Sequence, residues 1–272
     1  MGSADTNRAI GDYWGREELG QAILDALSAS GKDLDALTID DLAPFDQFHA
    51  GGKAATERLA RLADLTPGTR VLDVGGGFGG PARTLAVAFG CHVTVVDLTD
   101  SYVRAGEMLT VRMGLGDHVT HQIGDALELP FDDGAFDVVW MQNSGMNIRD
   151  KRRLYAGVRR ALRSGGRYAL QEPMYGPVQP LIYPVMWARD ASSSFLHTPA
   201  DMRALIELAG FRTRAWDDVT AELAPPPAGD AAPTSTIQTI VMGDALPSIT
   251  EALARNAAEG RMVNVQAVFD GV

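Results

Sequence analysis

The stretch that most constrains this chain is Val71-Leu72-Asp73-Val74-Gly75-Gly76-Gly77-Phe78-Gly79-Gly80. An apolar run reaches a carboxylate, breaks into five glycines in six positions, and passes into Pro81-Ala-Arg-Thr-Leu-Ala-Val-Ala-Phe89 before Gly90. The pattern predicts a strand, a tight turn and a helix that stops at Gly90. Glycine lets a turn take positive φ and lets a ligand approach the backbone with no Cβ in the way. The helix start beyond the turn presents free N–H groups.

The glycines alone do not choose the ligand. Gly75, Gly77 and Gly80 fit the G-x-G-x-x-G spacing of dinucleotide-binding folds, which keeps a nicotinamide-dependent oxidoreductase as the alternative reading. Asp73, two residues before the first glycine, speaks against it: a carboxylate there repels a pyrophosphate and welcomes an ammonium or sulfonium. The run His92-Val-Thr-Val-Val-Asp97 ends in a second carboxylate, 22 residues after Gly75. That is about where an acidic side chain at the next strand end meets ribose hydroxyls. A turn aspartate in Asp97-Leu98-Thr99-Asp100 is the plainer reading of the same residue.

Further on come Gly124-Asp125-Ala126-Leu-Glu-Leu-Pro130-Phe131 and then Phe136-Asp-Val-Val-Trp140. Together with the D-x-G-x-G-x-G formed by Asp73, Gly75, Gly77 and Gly79, these segments resemble class I S-adenosylmethionine (SAM)-dependent methyltransferases. The nearest resemblance is to the small-molecule group with sarcosine/dimethylglycine, sugar-O and tocopherol-type enzymes, and it covers residues 45–220. It implies SAM as cofactor, held by Asp73, Gly75, Gly77, Gly79, Asp97, Leu98, Asp125, Ala126 and Gln142. Asp125 would accept from the adenine amino group while the Ala126 backbone meets the ring.

Strand-like runs at 70–74, 92–97, 119–123, 136–140 and 167–170 alternate with helical patterns, the arrangement of a doubly wound parallel sheet. The expected fold is α/β and Rossmann-like, with seven strands. The last strand, in 262–269, is antiparallel beside the sixth, which begins at Phe211. Residues 1–52 are read as an N-terminal helical extension or lid, and 53–272 as the SAM-binding domain. Within the extension, Leu19, Ile23, Leu24 and Leu27 recur at helical spacing. That apolar face must be covered by the core, a substrate or another subunit, so a homo-oligomer through this helix is one expectation. Residues 41–52 read as a connecting loop. An insertion at about 173–198, with four prolines, Tyr175, Tyr183, Met186 and Trp187, reads as a cap on the substrate pocket. Tyr13 and Trp14 are candidates for part of a lid, and the Pro-rich 224–233 is read as a mobile low-complexity segment.

The net charge of −11 argues against nucleic acid as a partner, since phosphate recognition wants a basic face. No apolar run approaches the ~20 residues that span a bilayer, and the N-terminus lacks a secretory plan, so the expected location is the cytoplasm. One cysteine, Cys91, cannot form an internal disulfide. No residue cluster is spaced for a metal.

Methyl transfer from a sulfonium needs nucleophile, methyl and sulfur in line, and a base only where the acceptor must lose a proton. Several relatives place a histidine after the fourth strand. Here that loop is Ser144-Gly-Met-Asn-Ile-Arg-Asp150 and has none. The candidate bases are His49, Glu172 and His197, with His49 preferred because the resemblance brings its loop over the cofactor. His92, His118 and His121 are assigned to strand beginnings, away from the site. The Met-rich, aromatic insertion suggests an acceptor with a substantial hydrophobic portion. A SAM-binding protein without catalysis is the third reading.

Overall fold

The computed structural model describes residues 18–223 and 235–272. Tyr13, Trp14 and the Pro-rich 224–233 lie outside these residues. Nine α-helices and seven strands are formed among the described residues. The strands are β1 (Arg70–Val74), β2 (His92–Asp97), β3 (Val119–Ile123), β4 (Phe136–Gln142), β5 (Leu162–Tyr175), β6 (Phe211–Asp218) and β7 (Met262–Gly271). They make one sheet in the order β3-β2-β1-β4-β5-β7-β6. β7 alone runs antiparallel, slotted between β5 and β6. The strand order reverses between β1 and β4, and in such sheets a crevice opens beyond the C-terminal strand ends at that point.

Alternation along each strand divides the core into two layers. Leu72, Val139, Leu170 and Phe269 pack under α6 (Lys151–Ala161) and α7 (Pro199–Leu208). Val71, Val93, Trp140, Ala169 and Val268 pack under α3 (Gly52–Leu62) and α4 (Gly80–Phe89). β1 is buried from Val71 to Val74, which is why it reads as an unbroken apolar run apart from Asp73.

A third cluster is built on α1 (Leu19–Ala29), whose Leu19, Ile23, Leu24 and Leu27 are buried. They pack with Tyr102, Ala105 and Leu109 of α5 (Asp100–Arg112), Ile237 and Val241 of α8 (Ile237–Met242), and Ile249 of α9 (Leu246–Ala258). The apolar face of the N-terminal helix is therefore covered within its own chain, which removes the sequence argument for a partner there.

Three sequence expectations are corrected. Residues 41–52 are not simply a loop: α2 (Ile39–Asp46) forms, closed by a capping box in which Asp41 N–H donates to Thr38 Oγ1 (3.2 Å) and Thr38 N–H to Asp41 Oδ2 (3.0 Å). Pro44 masked it in the sequence. The insertion is shorter than 173–198, because Pro173, Met174 and Tyr175 continue β5 and pair with Asn264, Val263 and Met262. His121 lies in mid-strand, not at a strand start, with Nε2 3.0 Å from Thr110 Oγ1. No helix among the described residues is long and apolar enough to cross a membrane.

Candidate active site

The glycine turn is built by backbone geometry. Gly75, Gly77 and Gly79 all take positive φ, of 68°, 58° and 77°. Gly75 N–H donates to Val96 O (2.8 Å), tying the turn to β2. Asp97 completes the tie: Oδ2 accepts from Gly77 N–H (2.9 Å) and Oδ1 from Thr99 N–H (2.8 Å). Gly76 is held against Asp73, where a Cβ would lie 2.5 Å from Oδ2. Gly80 abuts the Asp46 carbonyl, so the glycine there admits α2 rather than a ligand.

A cavity of about 1260 Å³ occupies the crevice, larger than the roughly 300–1,000 Å³ that encloses one drug-sized ligand. Its wall includes Asp73, Gly75, Gly77, Asp97, Leu98, Asp125, Ala126 and Gln142, as the sequence implied. Gly79 does not border it; it caps α4 instead. Asp125 Oδ1 accepts from Leu127 N–H (2.8 Å), which shapes the turn after β3. The lining also includes the apolar Met146, Met186, Trp187, Leu246, Leu253 and Met262, together with the charged Arg149, Asp150, Arg153 and Glu222.

Asp73 is the most unusual group. It is 1% exposed and its Oδ2 is buried with no hydrogen-bond partner. Burial, with Asp97 nearby, pushes its carboxyl up to about 8. An orphaned carboxyl oxygen on a residue that borders the cavity fits the ammonium of a methionyl ligand, and Asp97 retains lone pairs for a diol.

His49 does reach the cavity but is fully engaged. Nδ1 lies 3.1 Å from Ala50 O and 3.0 Å from Gln142 Nε2, and Nε2 lies 3.0 Å from Gln47 Oε1 and 3.1 Å from Thr56 Oγ1. Burial lowers it to about 4, so the ring is neutral near pH 7. It belongs to a layer of glutamines on β4, β5 and β7: Gln142 Nε2 donates to Gln171 Oε1 (3.2 Å), as does Gln266 Nε2 (2.8 Å). Gln171 and Gln266 looked like ordinary polar residues in the sequence; only the strand register sets them beside Gln142.

Glu172 and His197 are not brought to the cavity. Glu172 Oε1 accepts from Ser144 N–H (3.2 Å) and Gly145 N–H (2.7 Å), behind the loop that follows β4. From the other side Lys151 Nζ donates to Gly145 O and Ile148 O, both at 2.6 Å. Both side chains are buried. Burial raises Glu172, opposed by the loop N–H groups and Lys151; burial lowers Lys151, opposed by Glu172. His197 is half-buried in the insertion with Nδ1 3.3 Å from Phe195 O. A carboxylate at a strand end and a histidine in a cap were reasonable candidates, but the loop stands between Glu172 and the cavity.

The sequence pattern places a helix at about 244–258, which is α9, but it did not show that Leu246, Leu253 and Ala257 line the cavity while Ile249 and Ala252 face the core. It missed two tethers of the insertion as well. Asn256 exchanges two 2.8 Å bonds with the Ile182 backbone, and Asn147 Nδ2 donates to Trp187 O (2.9 Å) and Ser193 O (2.8 Å). Among the described residues no group of three or more His, Cys, Asp or Glu could hold a metal.

A seven-stranded sheet in this order, with a glycine turn after β1 and acidic side chains at the ends of β1 and β2, defines a class I methyltransferase fold. Residues 71–166 match the model of a methyltransferase domain. The glycine/sarcosine/dimethylglycine N-methyltransferase of Actinopolyspora halophila is 35% identical over 131 residues, 48% of this chain and 23% of that one. The sarcosine/dimethylglycine N-methyltransferase of Halorhodospira halochloris is 31% identical over 179 residues, 63% of this chain and 62% of that one. The chain thus spans less than two thirds of the length of these relatives. Geranyl diphosphate C-methyltransferase from Streptomyces coelicolor shares the fold at a TM-score of 0.65 with 21% identity, over 80% of this chain and 78% of that one. Residues 71–166 thus carry a methyltransferase domain, set in a class I methyltransferase fold.

Proposed function

We propose that the protein transfers the SAM methyl group to an uncharged, largely apolar small molecule. The observation that carries this reading is a single cavity that joins the acidic, glycine-rich crevice to a wall of Met146, Met186, Trp187, Leu246, Leu253 and Met262. Such a wall stabilises an apolar partner by about 25 cal/mol for each Å² removed from water.

SAM, when bound, supplies an electrophilic methyl on sulfur. Gly75, Gly77, Asp73 and Asp97 hold the methionyl and ribose portions, and Leu98, Asp125 and Ala126 the base. The chain's contribution is then alignment and exclusion of water, which can account for most of the rate gain. His49 is held neutral at the cavity wall and is the group there that can accept a proton from an oxygen or nitrogen acceptor. To do so, Nε2 or Nδ1 must release one of its present partners. The relatives' names include N-, O- and C-methyltransferases, so the attacking atom is left open.

The reading is tested by calorimetric titration with S-adenosylhomocysteine, followed by incubation with methyl-labelled SAM and a panel of neutral aromatic, terpenoid and polyketide-like acceptors. Micromolar binding and label transfer to a neutral acceptor support it. Binding with transfer confined to charged amino acids refutes the acceptor class. Dinucleotide binding with no S-adenosylhomocysteine binding refutes the whole reading.

A further inference from the structure

The carboxyl of Asp73 poses a charge problem that the rest of the crevice does not solve. Its Oδ2 is buried without a partner, and the residue borders the cavity. The second carboxylate there, Asp97 from β2, already accepts the N–H groups of Gly77 and Thr99. Two carboxylates sharing one desolvated space do not both ionise, and the proton resides on the one with fewer donors. By hydrogen bonding alone, that one is Asp73.

Among the described residues no cation pairs with it. Beside it on β4 stands Trp140, and on β2 Val95. From α4, Arg83 is turned to Asp46, its Nη2 3.0 Å from Oδ2. From α5, Tyr102 packs on the glycine turn. Arg70, at the other end of β1, is paired with Asp137, and His49 is neutral in the glutamine layer.

We propose that Asp73 is the charge-reading residue of the crevice: neutral in the ligand-free protein, it ionises against the ammonium of a methionyl ligand, and each ligand bound sends one proton to solvent. This rests on the SAM reading above. The Asp73 O–H bond breaks, the proton passes to buffer, and the new carboxylate faces a cation in place of an apolar, donor-poor environment. Burial and Asp97 both hold the proton on Asp73 until that cation arrives. The arrangement favours ligands with the cationic end over neutral nucleosides that share the adenosine.

The test is calorimetry of the full chain at pH 7 in phosphate, HEPES and Tris, buffers of different ionisation enthalpy. With S-adenosylhomocysteine, the observed enthalpy should vary with buffer enthalpy as for release of close to one proton. The affinity should tighten by roughly tenfold per pH unit between about 5.5 and 7.5. With 5′-methylthioadenosine, which lacks the methionyl end, and with Asp73→Asn, proton release should disappear. Binding of S-adenosylhomocysteine without buffer dependence, or equal release from Asp73→Asn, overturns the inference and leaves the cofactor assignment standing. Absence of binding overturns both. Should Asp73→Asn not bind, the infrared difference spectrum of the unmodified protein decides. A protonated-carboxyl band lost on adding S-adenosylhomocysteine is expected, and an unchanged band refutes the inference.

Discussion

Asp46→Asn is the most informative single perturbation of the scaffold. Arg83 is wholly buried, and its Nε and Nη2 donate to Asp46 Oδ2 at 3.3 and 3.0 Å. Its remaining acceptors are neutral: Thr110 Oγ1 at 3.2 Å and Gly106 O at 3.4 Å. The asparagine is isosteric, so packing is kept while the guanidinium loses its counter-ion. Removing one partner of a buried pair costs about 3–5 kcal/mol, because the other charge stays desolvated. At an m-value of about 3 kcal/mol/M in urea, the unfolding midpoint should fall by about 1 M or more. Far-UV circular dichroism across a urea series measures it. The double variant Asp46→Leu/Arg83→Met should recover most of the loss, since no charge is then left unpaired. Midpoints of Asp46→Asn and the unmodified protein within about 0.2 M would refute the reasoning, showing that the α2–α4 contact is hydrated or dispensable.

The buried pair behind the β4 loop should respond asymmetrically. Glu172→Gln removes the carboxylate that accepts the Ser144 and Gly145 N–H groups and offsets the Lys151 charge across the loop, and should cost about 1–3 kcal/mol near pH 7, read by thermal melting. Lys151→Met leaves an acid that can stay protonated, so its cost should be smaller at pH 5.5 and grow by pH 8 as ionisation is forced on Glu172. Ligand-free stability should also fall with rising pH through Asp73: the unfolded carboxyl releases its proton near 3.8 and the folded one near 8. The folded state therefore binds the extra proton between those values, and the contribution is lost as pH rises through that window, at no more than about 1.4 kcal/mol per unit. Melting curves of Asp73→Asn across the same range should be flatter; an unchanged slope would contradict the assignment. Asn147→Ala and Asn256→Ala each remove two hydrogen bonds to the insertion and should cost about 1–3 kcal/mol. Hydrogen exchange in 176–198 should rise while S-adenosylhomocysteine affinity stays within twofold.

The sequence by itself determined which residues of the central strand ends meet at the crevice. Strand β1, the glycine turn and α4 form one contiguous segment, and the carboxylates of Asp73, Asp97 and Asp125 each sit at or just beyond the end of a strand whose periodicity is local. A doubly wound sheet necessarily brings such ends to one crevice, so Asp73, Gly75, Gly77, Asp97, Leu98, Asp125, Ala126 and Gln142 could all be named before any coordinates. What only the tertiary structure decided is held by contacts distant in sequence. His49 meets Gln142 across 93 residues, Gln171 meets Gln266 across 95, and Asn256 meets Ile182 across 74. No local pattern marks such pairs, because a glutamine or asparagine has the same sequence signature whether it lies in solvent or in a buried network. The same reason hid the difference between Glu172 and Asp73. Both are acids on central strands, but loop N–H groups reach Glu172 and shield it from the cavity, which Asp73 borders.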